Sequence, residues 1–138
     1  MEKFFYKKKL IGVRARFFLS GNTVLTAAEE PLQILSLYYV QGKEIVPHFH
    51  KPLRRTTTHL QECVIVIEGR IKIDLYGPDR KYFKHLYLKA GELFMLVSGG
   101  HAIHFVEDSK IFEFKNGPYK NDRVNITADD IASSGRKI

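Results

Sequence analysis

The sequence predicts an all-β protein, because two features recur along the chain. Nine short runs are rich in β-branched and aromatic residues, which favour strands. Turn-forming stretches such as QGK, GPDR, SGG and NGP separate them. Short strands with glycine at the turns are typical of a sandwich or a barrel. The predicted strands cover residues 11–19, 34–40, 44–50, 62–68, 70–76, 81–88, 92–97, 101–107 and 110–115.

The two ends of the chain frame this β-rich region. Residues 11–19, IGVRARFFL, form the predicted N-terminal strand. Thr127 followed by Ala-Asp-Asp is typical of a helix start, so we expect a short helix or tail over residues 128–138. The chain has 138 residues and shows no internal repeat or linker, so a single domain over 1–138 is expected.

The run ECVIVIE, residues 62–68, is apolar on both faces. Val64 and Val66 point to one side of the predicted strand, and Cys63, Ile65 and Ile67 point to the other. Such a strand is expected to be covered on both sides, by the interior of the fold and by another sheet or a partner subunit. Cys63 is the single cysteine, so it predicts a buried structural thiol and a reducing compartment rather than a disulfide framework.

Charge and hydropathy limit the partners and the location. The net charge is +7, from 22 Lys and Arg against 15 Asp and Glu, which suits phosphate-bearing ligands. The basic residues are scattered and no nucleic-acid-binding motif accompanies them, so we expect a solvated basic surface and no nucleic-acid partner. No apolar stretch is long enough for a membrane span or a signal peptide, so we expect a cytoplasmic protein without membrane attachment.

Two histidines in GKEIVPHFHK, residues 42–51, are the first candidates for chemistry. In a strand, His48 and His50 would share one face about 7 Å apart, which is half of a metal site. Neutral imidazole suits zinc, iron, copper and nickel alike. Two surface histidines on an edge strand are the alternative interpretation.

Two further candidates lie downstream. Glu62 shares a strand face with apolar residues, where a carboxylate is costly unless it is paired or bound to a cation. His101 opens the predicted strand 101–107 after a glycine turn that allows close approach. His59 could replace Glu62 if residues 51–61 fold inward, whereas His85 and His104 are expected to be structural.

The spacing of these residues resembles the first motif of the cupin superfamily. Gly42 is followed after five residues by His48 and then His50, and Glu62 is followed after six residues by Gly69. Both flanking counts match the family's motif. The resemblance extends over residues 34–119.

The second cupin motif is met more loosely by GELFMLVSGGH. Gly91 fits, Val97 replaces a proline, and His101 comes one residue early. The gap KPLRRTTTHLQ, residues 51–61, is longer than in the commonest cupins. It resembles a subset of small cupins of polysaccharide and sugar-nucleotide pathways, which also end on a segment like IFEFKNGPYKNDRV.

The resemblance implies a double-stranded β-helix, the jelly-roll barrel, with a divalent transition metal (iron, manganese, nickel or zinc) at its mouth. The implied metal ligands are His48, His50, Glu62 and His101. It also implies a homodimer, since cupins commonly pair through terminal strands, for which residues 11–19 are suited.

Three residues are candidates for binding an anionic sugar-nucleotide. Arg54 and Arg55 follow the histidine pair, and arginine binds phosphate in a bidentate manner, although a solvated loop explains them equally well. Tyr119 either covers the pocket mouth or caps the barrel.

Several functions remain open at this point. The first is a metal-binding cupin that acts on or senses a sugar or sugar-nucleotide. The second is a metal-free sugar-nucleotide ketoisomerase or epimerase, in which His48 and His50 transfer protons as bases. A non-enzymatic ligand-binding module and, with iron, an oxygenase are the others, so the chain is not assigned as an enzyme from its sequence.

Overall fold

The computed structural model describes residues 1–132, and within them the chain forms ten strands and one short helix. The strands are β1 (Glu2–Tyr6), β2 (Lys9–Ala15), β3 (Gly21–Val24), β4 (Leu35–Tyr38), β5 (Glu62–Glu68), β6 (Arg70–Tyr76), β7 (Tyr82–Lys89), β8 (Leu93–Leu96), β9 (Gly100–Phe105) and β10 (Lys110–Lys115), and the helix is α1 (Ala128–Ala132). The prediction of an all-β protein is confirmed. The predicted helix after Thr127 is also confirmed, and the rest of the predicted tail, 133–138, lies outside the described residues.

The strands form three antiparallel sheets. The largest has the order β1-β2-β8-β5-β10, a second has the order β7-β6-β9, and β3 pairs with β4. Over the described residues, these sheets do not close into a barrel. Strands β9 and β10 each form an edge of their sheet.

The main core lies between the five-stranded and the three-stranded sheet. Alternate residues of β6 point into it because successive side chains of a strand face opposite ways. Burial of each large aliphatic side chain contributes about 1.5–3 kcal/mol to folding. The fully or almost fully buried members include Ile11, Val64, Val66, Ile71, Ile73, Leu75, Leu88 and Phe94.

A second, smaller cluster covers the other face of the five-stranded sheet. Cys63 and Met95 are buried there, and Leu32 and Ile34 pack onto them from the segment before β4. The first part of strand β5 is therefore covered on both faces, as its sequence predicted, and the second covering layer comes from the same chain. Ile67, farther along the second face, is 51% exposed, so the prediction fails there. On the main-core face of the same sheet, Gly12 allows the Phe94 ring to pack closely, because a Cβ at its position would overlap that ring.

The prediction of a strand at 44–50 is wrong. Residues 39–60, which we call the arm, form no helix or strand, and every residue of the arm is exposed. An apolar run becomes a strand only if a neighbouring strand accepts its backbone hydrogen bonds, and Pro47 also lacks an N–H group. The N-terminal strand ends at Ala15 rather than at residue 19, since Phe17 and Phe18 leave the sheet and line a cavity.

Two strands were not predicted. Strand β1 pairs with β2 through a tight turn at Lys7 and Lys8, both of which have positive φ angles, of 46° and 68°. That turn geometry favours Asn-Gly, so two lysines give no turn signal. Strand β3 has only four residues and pairs with β4 alone. No helix within residues 1–132 is long and apolar enough to cross a membrane.

Candidate metal centre

Glu62 and His101 meet across the space between the two larger sheets. Glu62 begins β5 on the face that carries Val64, and His101 lies on β9 on the face that carries Ile103. His101 Nε2 is 3.1 Å from Glu62 Oε2. The Glu62 side chain is 11% exposed and that of His101 is 23% exposed. The contact therefore lies at the inner edge of the core, where solvent screens charges only weakly.

Strand β10 brings two more charged groups to this place. It pairs antiparallel with β5, so that Lys115 stands opposite Glu62, and Glu113 stands opposite Val64. One ligand atom each from Glu62, His101 and Glu113 lies within 4.8 Å of the others, and no other such trio of His, Cys, Asp or Glu occurs among residues 1–130. We call these three residues together with Lys115 the cluster.

Lys115 is the cation of this cluster. Its Nζ lies 2.7 Å from Glu62 Oε1 and 2.9 Å from Glu113 Oε1. Hydrogen bonds to Glu113 and then to Glu62 raise the Lys115 pKa above its ordinary value. The largely buried Glu62 carboxylate needs such a positive partner, because an uncompensated buried charge is costly, whereas Glu113 is exposed.

Sequence reasoning missed Glu113 and Lys115, although a signal was present. In KIFEFK, strand alternation places Glu113 and Lys115 on one face and Phe112 and Phe114 on the other. Opposite charges at positions i and i+2 share a strand face, where they can pair with each other and with a neighbouring strand. The sequence does not say which strand lies beside β10, so those partners could not be named.

His48 and His50 do not belong to this cluster. They lie on the arm, with their rings in an edge-to-face contact at a centroid distance of 5.1 Å. The expectation that they share one face of a strand is wrong, because the arm forms no strand. The His48 Nδ1–H group donates to the Val46 carbonyl at 2.9 Å. Its Nε2 is then the nitrogen with a free lone pair, as a metal ligand or a base requires.

The three predicted ligand-binding residues are all exposed, and none of them belongs to the cluster. Arg54 and Arg55 belong to the arm. Tyr119 is 86% exposed and follows the cis peptide bond between Gly117 and Pro118. None of the three lines the cavity described next, so their assigned roles remain predictions.

An apolar cavity of about 350 Å³ lies on the opposite face of the five-stranded sheet from the cluster. Phe17, Ile65 and Leu93 contribute to its wall, and Ser36 places a buried hydroxyl there without a hydrogen-bond partner. Cys63 also lines it, and burial raises the pKa of this thiol to about 11. The prediction of a buried thiol is confirmed, and the raised pKa leaves little of the nucleophilic thiolate at neutral pH.

The other histidines lie outside the cluster. His104 faces the opposite side of its sheet, as its parity predicted, with Nε2 2.9 Å from Oδ2 of the buried Asp74. His85 Nδ1 lies 2.9 Å from the Tyr82 hydroxyl. His59 is exposed on the arm, so the alternative in which it replaces Glu62 gains no support from its position.

Gln61 positions Glu62 and was not identified from the sequence. Its side chain is completely buried. The side-chain amide donates to the Val97 carbonyl at 3.2 Å, accepts from the Leu32 N–H at 3.0 Å and also bonds Glu30. These bonds fix the chain at the point where the arm ends and β5 begins.

The structure thus brings together two of the four predicted metal ligands, Glu62 and His101, and adds Glu113. It pairs the other two, His48 and His50, on the exposed arm. No protein-family model, curated protein or solved structure matches the chain.

Proposed function

We propose that the protein is a metal-binding cupin that acts on or senses a small polar ligand, a sugar or a sugar-nucleotide. The contact between His101 Nε2 and Glu62 Oε2 carries this proposal, because it joins two groups that the motif spacing singled out independently. A carboxylate and an imidazole that face each other at the inner edge of a core suit iron, manganese, nickel or zinc.

The finer fold assignment belongs to the same proposal. The two larger sheets would be the halves of a jelly roll, open along the edge strands β9 and β10. The cluster lies between these edges, where a ligand could enter. Glu62, His101 and Glu113 would then face the mouth of the fold.

Each residue of the cluster has a role in this proposal. Glu62 and His101 would hold the metal, and Glu113 would either complete the ligand set or accept a proton from the bound ligand. The Lys115 ammonium group would face an anionic ligand. The metal itself would act as a Lewis acid that orients hydroxyl or carbonyl oxygens.

The ligand class rests on charge. A net charge of +7 favours anionic partners in general. Arg54 and Arg55 are exposed on the arm and free to approach a phosphate, for which the guanidinium group is well shaped. A nucleoside diphosphate attached to a sugar combines such phosphates with hydroxyl groups that a metal can orient.

One observation favours a second candidate, a metal-free sugar-nucleotide ketoisomerase or epimerase. The Lys115 ammonium group lies within 2.9 Å of both Glu62 and Glu113, where it offsets one of the two carboxylate charges without any metal. In this candidate His48 and His50 transfer the protons. The His48 Nε2 lone pair described above suits a general base.

Elemental analysis separates the two candidates. Protein purified without a chelating column is expected to carry about one iron, manganese, nickel or zinc ion per chain. Glu62→Gln and His101→Ala should each lower that content below about a tenth, since each removes a ligand. His85→Ala is the matched control and should retain the metal. Wild-type protein that carries no metal, and takes up none when these ions are added, would contradict the metal-binding candidate and favour the metal-free one.

A further inference from the structure

The arm carries an apolar surface that its own chain leaves uncovered. Val46 is 78% exposed and Phe49 is 82% exposed. Monomeric proteins rarely expose a contiguous apolar segment of this length. The exposed large apolar side chains of the arm are Tyr39, Val40, Ile45, Val46, Phe49, Leu53 and Leu60.

The open side of the sandwich offers a complementary surface. Strands β9 and β10 are sheet edges, and each presents a row of backbone N–H and C=O groups on its outer side. Phe105, on β9, is an exposed aromatic side chain of this region. An extended segment can pair with such edges by backbone hydrogen bonds.

The metal site proposed above is divided between these two surfaces. Glu62 and His101 lie beside the open edges, whereas His48 and His50 lie on the arm. Eleven residues separate His50 from Glu62, and an extended chain of that length spans at most roughly 36 Å, which is long enough for the arm to reach a neighbouring copy. The ligand atoms that meet at the cluster are those of Glu62, His101 and Glu113, and neither arm histidine is among them.

We propose that two copies of the chain exchange arms, so that His48 and His50 of one copy complete the site formed by Glu62 and His101 of the other. The exchange rests on the proposed metal site for its chemistry. Exchange of identical elements is a common route to symmetric dimers. Each copy would contribute one arm and one cluster, which gives two equivalent sites.

Charge supports this pairing. The arm carries four basic residues, Lys43, Lys51, Arg54 and Arg55, against the single acidic residue Glu44. The cluster that it would approach has two carboxylates, Glu62 and Glu113, against the one ammonium group of Lys115. Opposite net charges favour the encounter and fix its orientation.

The area that the exchange would cover is also sufficient. The seven exposed apolar side chains of the arm, at roughly 100 Å² each, approach the ~800 Å² that each partner buries in a standard interface. Backbone pairing along β9 or β10 adds to this area. A second copy supplies the same surfaces in return, so the contact closes without leaving an exposed arm.

Mixing two defective variants tests the exchange. The arm variant carries His48→Ala and His50→Ala, and the cluster variant carries Glu62→Gln and His101→Ala. Each variant alone should bind no metal. After joint refolding, half of the dimers are mixed and each mixed dimer holds one intact site, so about a quarter of the wild-type metal content should return.

The outcomes separate this proposal from the one on which it rests. Metal in the wild type but none in the refolded mixture would mean that each arm serves its own cluster, which overturns the exchange and leaves the metal site standing. A wild type that binds no metal overturns the metal site instead. The exchange is then decided by light scattering, which needs no metal.

Light scattering uses a pair of substitutions on the apolar face of the arm. Wild-type protein should be a dimer, and Val46→Asp combined with Phe49→Asp should give monomers, because charges replace the buried contacts. Val24→Asp, at an exposed position on β3 outside the arm, is the control and should remain dimeric. A monomeric wild type, or a dimer that the arm substitutions leave intact, overturns the exchange.

Discussion

Lys115 Nζ lies 2.7 Å from Glu62 Oε1, although Lys115 ends β10 and Glu62 begins β5. The antiparallel register of these two strands places them directly opposite each other. The ammonium group thus stands where a metal bound to Glu62 would place its positive charge. The first two predictions follow from this position of the Lys115 ammonium group.

Replacement of Lys115 by methionine should strengthen metal binding. The substitution keeps the length of the side chain but removes a cation that competes with the metal for Glu62 and Glu113. Two unit charges about 4 Å apart interact by about 4 kcal/mol in a partly buried site, so the affinity for Mn²⁺ or Zn²⁺ should rise by at least about tenfold. Isothermal titration calorimetry measures this change.

Lys110→Met is the matched control for that titration. Lys110 lies on the same strand, and its Nζ lies 2.6 Å from Glu68 Oε2, but the side chains of both residues are well exposed. Its replacement should leave the metal affinity within about twofold of the wild type. Equal affinities for the wild type and Lys115→Met would contradict a metal at Glu62.

The same lysine predicts an alkaline loss of stability. Its pKa is raised in the folded protein by Glu113 and Glu62, so the folded state holds the proton more tightly than the unfolded state. The stabilisation is complete below the ordinary lysine pKa of 10.5 and declines as the pH rises above it. Denaturant unfolding at about pH 9 and pH 11.5 should show a larger loss for the wild type than for Lys115→Met. An equal loss in both proteins would show that the ion pair adds nothing in solution.

Gln61→Ala should destabilise the fold by about 2–4 kcal/mol. The change leaves the Leu32 N–H and the Val97 carbonyl without their partner in a fully buried place. Gln41→Ala is the control, since Gln41 is an exposed residue of the arm and should change the free energy of unfolding by less than about 0.5 kcal/mol. A loss below about 1 kcal/mol for Gln61→Ala would argue against these bonds.

Cys63 should react slowly with thiol reagents in the folded protein. Its pKa of about 11 leaves few thiolates at pH 8, and the side chain is buried. Reaction with a disulfide reagent should be at least about a hundredfold slower than in denatured protein, where the thiol pKa is ordinary. Comparable rates in the two states would mean that the second core cluster opens readily.

The sequence predicted β5, β6 and β10 with the bounds that the structure gives, because each run lies between clear turns and pairs with a neighbouring strand. Parity along a strand also predicted that His101 and His104 face opposite sides. The same parity argument failed for His48 and His50. It needs a strand, and a strand depends on a partner that the local sequence does not reveal.

The contact between Glu62 and His101 was expected only through the resemblance of the motifs. Nothing in the local sequence states that β5 and β9 belong to different sheets whose inner faces meet. Glu113 and Lys115 join the cluster because of the register between β5 and β10, which is likewise a property of the whole fold. Gln61 was missed because a polar residue beside a loop gives no sign that it is buried.

Anomalous diffraction from crystals soaked with Zn²⁺ or Mn²⁺ tests the metal site most directly. The account predicts one strong peak beside the cluster, at about 2.0–2.2 Å from His101 Nε2 and from a Glu62 oxygen, with Lys115 displaced. A peak at any other place, or no peak while Lys115 still bridges Glu62 and Glu113, would contradict it.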